Sequence, residues 1–171
     1  MRGDSVPTLF DSGEPEPPVY LVDTSAWFNI ELRDDREHVW EIVYRLVGKQ
    51  RIKVCPEVFG EIKNDPVYEK LRLREATLKI GLRTANDLEY LTLIGEITHE
   101  HPRMCKARSR KRVADPYVIA QAELNGYVVV ADESRKQPSR KIPGVCQKRH
   151  VRCIDLDQFV ADNSSNAAVA S

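Results

Sequence analysis

The chain has 171 residues, enough for one domain with a sizeable core and too few for two ordinary ones. Apolar residues make up 42% of it, a globular composition that excludes disorder of the whole chain. Lys and Arg total 26, as do Asp and Glu, so overall charge is silent about a nucleic-acid partner and only local charge can speak to one. No apolar run approaches the roughly 20 residues of a membrane span, and residues 1–18 contain no signal-peptide core. The four cysteines, Cys55, Cys105, Cys146 and Cys153, lack CxxC spacing, as expected of reduced thiols in a cytoplasmic chain.

Residues 1–18 are rich in Pro, Glu, Asp, Ser and Gly and read as a flexible tail. The small, polar residues 162–171 read the same way, leaving a folded domain over 19–161. Val19 to Val22 is a short run of β-formers and predicts a buried strand. Thr24 or Ser25 offers an N-cap for a short helix through Trp27 and Ile30. Val39, Ile42, Val43, Leu46 and Val47 recur at helical spacing, with Gly48 as the stop. Ile52 to Cys55 predicts a second strand, and Pro56 opens a helix through Ile62. Two further helices are expected over 67–80 and 85–99. Pro116 opens another through Leu124, closed by Asn125-Gly126. Tyr127 to Val130 and Val151 to Ile154 predict the third and fourth strands, and a last helix follows around Leu156 to Val160. Residues 132–149 between those strands read as a loop. Apolar, non-alternating strands separated by helices predict an α/β domain with a parallel sheet of about four strands, covered on both faces.

In open α/β sheets, functional groups gather where strands end and the next helices begin. Asp23 follows the first strand, and Asp132 and Glu133 follow the third. Asp115 stands immediately before Pro116. Glu57 and Glu61 lie one turn apart on the helix after the second strand and so share a face. Four segments can thus bring acids to one edge of the sheet. Crowded carboxylates are tolerated when a cation neutralises them, and all-oxygen donors favour Mg²⁺ or Mn²⁺ over zinc. The chemistry that fits is metal-assisted phosphodiester hydrolysis. Each acid also has a purely structural reading: Asp115 as an N-cap, Asp132 as the start of a turn, Glu61 as a solvated helix residue.

Val19-Tyr20-Leu21-Val22-Asp23-Thr24-Ser25 resembles the opening motif of PIN domains, the nuclease fold of VapC-type toxins. Glu61 in Glu57-Val58-Phe59-Gly60-Glu61-Ile62 matches that family's second acid. Asp115 in Ala114-Asp115-Pro116-Tyr117-Val118-Ile119-Ala120 matches the third, and Asp132 after Val128-Val129-Val130-Ala131 the fourth. Residues 141–146 followed by 151–154 are similar to a bacterial and archaeal PIN-like subfamily long of unknown function. The resemblance spans most of 19–160. It implies a three-layer α/β/α PIN-like fold and a metal-dependent endoribonuclease. Asp23, Glu61, Asp115 and Asp132 are then the catalytic acids and the ligands of Mg²⁺ or Mn²⁺, supported by Ser25, Thr24, Glu133 and Glu57. RNA is implied as substrate, an antitoxin protein and a second copy of the chain as candidate partners, and no membrane. Val130 departs from the family pattern, which commonly has Thr or Ser there, and the choice between Asp132 and Glu133 stays open.

Arg103, Lys106, Arg108, Arg110, Lys111 and Arg112 precede Asp115 closely, a local positive field suited to phosphates. Arg108, Arg110, Lys111 and Arg112 are the expected RNA contacts. The same segment also suits an acidic protein partner or plain solvation. Arg135, Lys136, Arg140 and Lys141 form a second basic group. His99, His101 and Cys105 match no common zinc-finger spacing. The rival to an enzyme is a non-catalytic module for nucleic acid or protein binding, in which the acids serve only as caps.

Overall fold

The computed structural model describes residues 16–102, 104, 113–133 and 141–164. Four parallel strands form one sheet in the order β2-β1-β3-β4, with β1 at Tyr20–Val22, β2 at Ile52–Lys53, β3 at Val128–Val130 and β4 at Cys153–Ile154. Leu21 lies opposite Lys53 on one side and Val129 on the other, and Val130 lies opposite Ile154. Every residue of β1 and β3 is buried, which is why these strands are apolar throughout and do not alternate.

The helices are α1 (Thr24–Glu31), α2 (Arg36–Gly48), α3 (Pro56–Ile62), α4 (Pro66–Leu71), α5 (Glu75–Lys79), α6 (Leu88–Glu100), α7 (Asp115–Asn125), α8 (Ile142–Lys148) and α9 (Leu156–Ser164). The fold is the three-layer α/β/α arrangement that the strand pattern predicts. α2 packs against α1, α9 and β2, while α7 packs against α6, α8 and β3. Trp27 of α1 stacks on Trp40 of α2 at 5.8 Å between ring centroids. Phe159 of α9 meets Tyr20 of β1 edge-on at 5.0 Å. Among the described residues no helix is long and apolar enough to cross a membrane.

Leu21 is fully buried in the strand at the centre of this packing. Leu21→Ala removes its contacts and leaves a cavity that a sheet clamped on both faces closes poorly. The expected loss is about 3 kcal/mol of unfolding free energy, read as a lower urea midpoint at unchanged slope.

Several boundaries depart from the sequence reading for local reasons. The cap of α1 is Asp23, whose carboxylate accepts from the Ser25 N–H, and not Thr24 or Ser25. Gly48 is the last residue of α2 and not its stop; the chain turns at Gln50, which adopts φ 55°. The expected helix over 67–80 is interrupted by a 3₁₀ turn at Arg72–Arg74, after which the Leu78 carbonyl accepts from Val54 N, just beyond β2. α6 starts at Leu88 and not Ala85, because Asp87 caps it through the Tyr90 N–H at 3.1 Å. The stretch 132–149 contains α8, and α9 continues three residues beyond the expected domain end at Ala161. The expected tails at 1–18 and 162–171 lie largely outside the described residues.

Two features position the carboxyl edge of the sheet. Gly126 ends α7 in the left-handed region at φ 68°, where a residue with no Cβ adds no strain, and its neighbour Tyr127 leads directly into β3. The chain also runs from β1 to β2 on one side and returns to β3 on the other. The reversal point of a doubly wound sheet therefore lies between the carboxyl ends of β1 and β3, where such sheets bind their ligands.

Candidate metal centre

Asp23 sits at that reversal point. Its backbone N–H donates to the Val130 carbonyl at 2.9 Å, continuing the β1–β3 pairing one residue past the strand. Its side chain is 3% exposed. Oδ2 accepts from the Ser25 N–H at 3.0 Å and the Ser25 hydroxyl at 2.8 Å. Oδ1 is sealed from solvent and has no hydrogen-bond partner among the described residues. Burial pushes the carboxyl up to about 6; the Ser25 hydrogen bonds pull it down, and the charge of Glu133 adds to the rise.

Asp115 opens α7 but does not cap it. The capping position is Ala114, and among the described residues no side-chain cap bond is made there. Burial raises the Asp115 carboxyl first, then the charges of Asp23, Glu133 and Glu61, together to about 8. Like charges sharing a desolvated site hold protons in this way, and three other acids reach Asp115 electrostatically.

Glu61 is tied down from two elements. The Thr24 hydroxyl donates to its Oε2, and the Ala114 N–H donates to its Oε1 at 3.0 Å. These bonds join α1, α3 and the start of α7, so Glu61 is not the solvated helix residue of its alternative reading. One turn earlier on α3, Glu57 has an Oε2 that is also sealed and without a partner among the described residues.

The two acids after β3 take different surroundings. Asp132 is held by α1: Asn29 Nδ2 donates to its carboxylate at 3.0 Å and to its carbonyl at 2.9 Å. The Asp132 N–H donates to the Ser25 hydroxyl at 3.1 Å. Glu133 accepts from the Ile142 N–H at 3.0 Å, with Lys141 3.8 Å away, and its charge acts on both Asp23 and Asp115. Electrostatic influence therefore links Asp115 to Asp23, Glu61 and Glu133, and Asp23 to Glu133, with Asp132 joined to Asp23 through Ser25. Asn29 and the Ala114 N–H escaped the sequence reading. The available signal for Asn29 was its place four residues after Ser25, on one helix face.

The donor set is all oxygen, it holds a sealed carboxylate oxygen with no hydrogen bond, and it raises two carboxyl groups well above their ordinary range. A hard divalent cation suits such a set, because each carboxylate that repels its neighbour becomes a ligand instead. Among the described residues no three His, Cys, Asp or Glu side chains already stand at ion-holding distance, so the acids share an edge without being drawn into a closed shell. Arg108, Arg110, Lys111 and Arg112, the expected RNA contacts, lie outside the described residues, as do Arg103, Cys105, Lys106, Arg135, Lys136 and Arg140. Lys141 is the described member of the two basic groups.

Residues 20–167 match the family described as a domain of unknown function, DUF4411. The chain belongs to that family. A comparison with curated proteins gave no match. The DUF4411 match begins at the first residue of β1 and runs past α9, so every acid of the edge lies within the DUF4411 region.

Proposed function

We propose that this DUF4411 chain is a divalent-metal-dependent ribonuclease of PIN type that hydrolyses RNA phosphodiester bonds using Mg²⁺ or Mn²⁺. What supports the reading is that Asp23 and Asp115 share the carboxyl edge of the sheet, where burial and the charges of other acids push both carboxyls upward. Structural ion pairs lower carboxyl pKa values, whereas crowded, desolvated acids with no cation beside them have theirs raised.

Asp23 and Asp115 would be the principal ligands, with Glu61 and one acid after β3 completing the set. Ser25 fixes the Asp23 rotamer through Oδ2 and leaves Oδ1 as the donor atom. Thr24 and the Ala114 N–H hold Glu61 in place. Asp115 must release its proton to act as a ligand, so cation uptake strengthens as pH rises toward about 8. A bound divalent ion supplies acidification of a water and stabilisation of charge on the attacking and leaving oxygens. The test is Mg²⁺-dependent cleavage of RNA by the pure chain, lost in Asp23→Asn and in Asp115→Asn; cleavage that survives in both variants overturns the assignment.

For the fourth acid the electrostatics favour Glu133, whose charge acts on both Asp23 and Asp115, although each candidate carboxylate is held by a neighbour, Asp132 by Asn29 and Glu133 by the Ile142 N–H. Glu133→Gln is expected to lower kcat by about a hundredfold and Asp132→Asn by about tenfold or less, in keeping with a group at the site and one acting through a neighbour. Steady-state cleavage assays of the two variants decide it, and the reverse order restores Asp132.

The binding-module reading has its own support, since Asp23 caps α1 and Glu61 braces three elements. Calorimetry with Mn²⁺ separates the two. Uptake that disappears in Asp23→Asn favours the enzyme, and no uptake favours the module.

A further inference from the structure

Beside the acidic edge lies a pocket of about 640 Å³ walled by α3, α6 and α7. Its lining includes Glu57, Lys79, Arg83, Tyr90, Leu91 and Tyr117. Tyr90 and Tyr117 stand edge to face, 6.5 Å between centroids. Glu57 precedes Glu61 by four residues, about 6 Å along the helix axis, and Tyr117 follows Asp115 by two residues. Both helices that deliver acids to the edge therefore also wall the pocket.

We propose that this pocket holds one base of the RNA strand beside the scissile phosphate, and that Glu57 makes it select guanine. This rests on the ribonuclease reading. The volume and the mostly apolar lining suit a flat ring system, and aromatic walls favour stacking of any base. Selection comes from the carboxylate. Glu57 lines the pocket; its Oε2 is sealed and lacks a partner among the described residues, and rotation about the broad terminal torsion of the Glu is the movement that would turn that oxygen toward an occupant. A carboxylate is acceptor-only. Guanine offers it two adjacent donors, N1–H and the N2 amino group. Adenine offers a donor beside an acceptor, which would face the carboxylate lone pairs. Lys79 and Arg83 also line the pocket and are paired with Glu75 and Asp87.

The test is calorimetric titration of the full chain, without divalent ion, with guanosine, inosine and adenosine, none of which carries a phosphate. Guanosine is expected to bind about tenfold or more tighter than adenosine, with inosine, which lacks the N2 amino group, between them. Glu57→Gln should bring the three to within about twofold of one another. Leu91→Trp is a second variant at a residue 45% exposed, where a larger side chain fills the pocket mouth without entering the core, and it should abolish binding of all three. Equal affinities in the unmodified chain, or binding of none of them, overturn the proposal. Guanosine selection in a chain that does not cleave RNA would sink the ribonuclease reading alone, and cleavage without nucleoside binding would sink the pocket alone.

Discussion

Cleavage of RNA in Mg²⁺ is expected to fall by about a thousandfold or more in Asp23→Asn and in Asp115→Asn, with both variants folded. A thousandfold corresponds to about 4 kcal/mol of lost transition-state stabilisation, the scale on which single preorganised charges act in water-poor sites. The two substitutions separate chemistry from folding because of how each acid is held. Asn caps helices about as well as Asp, so Asp23→Asn keeps an acceptor for the Ser25 N–H that starts α1. Asp115 makes no cap bond among the described residues, so its replacement leaves the start of α7 intact. Circular dichroism and thermal melts of both variants should match or exceed those of the parent. A loss of cleavage accompanied by a loss of fold would say nothing of the site, whereas full cleavage in both folded variants would end the metal-enzyme reading. Asp23→Ala, which removes the cap as well, is expected to be about 1 kcal/mol less stable than Asp23→Asn.

The parts of this fold legible in the sequence are those written in local chemistry. β1 and β3 announce themselves because burial on both faces demands an unbroken apolar run, and α3 and α7 because Pro fits the first turn of a helix. The end of α7 is legible because Gly126 alone can take the left-handed turn cheaply. What was hidden is structure set by tertiary contact. α8 carries Pro143 and Gly144, which read as loop residues, yet Pro143 lies in the first turn and Gly144 is buried. Its end is held by Arg149, paired with Glu123 at 2.6 Å and Glu100 at 2.8 Å, partners drawn from α7 and α6. No local pattern encodes such a clamp. The turn at Gln50 was missed for a related reason: Gly48 is the stronger stop signal, and the hydrogen bond from Arg51 N to Leu46 O that closes the turn is visible only once the chain is folded.

The site divides along the same line. Asp23 and Asp115 were legible because one follows a strand and the other opens a helix in a parallel sheet, and topology sends those positions to one edge; Glu61, near the end of α3, was legible only through its one-turn spacing from Glu57. The choice between Asp132 and Glu133 was not, since neighbours in sequence after a strand point to different sides, and their surroundings come from Asn29 in one case and the start of α8 in the other. Thr24 was visible as a neighbour of the first acid, but its bond to Glu61, 37 positions away, was not.

The edge that suits a cation should also be a source of instability in the metal-free chain, with a definite pH dependence. Asp115 keeps its proton to about pH 8 in the folded protein, against an ordinary 3.8. Below pH 3.8 both states carry the proton and the group contributes nothing. Between 3.8 and 8 the folded state holds a proton that the unfolded state has lost, so stability falls as pH rises; above 8 the penalty is complete. A shift of roughly 4 units at about 1.36 kcal/mol each gives a ceiling of about 6 kcal/mol, and water reaching a partly open edge lowers this to about 3 kcal/mol. Asp115→Asn removes the titration. In EDTA it is expected to match the parent near pH 4 and to exceed it by about 3 kcal/mol at pH 8, read from urea midpoints. Asp23, raised from 3.8 to about 6, leaves the variant a smaller slope confined to the interval between those values. Mg²⁺ should reverse the ranking at pH 8, because a ligand that binds only the folded parent stabilises it by mass action, and the Asn variant has given up one of the charges that attract it. A parent and variant separated by the same amount at pH 5 and pH 8 would mean that Asp115 is ionised throughout, and the electrostatic account of the edge would fall with it.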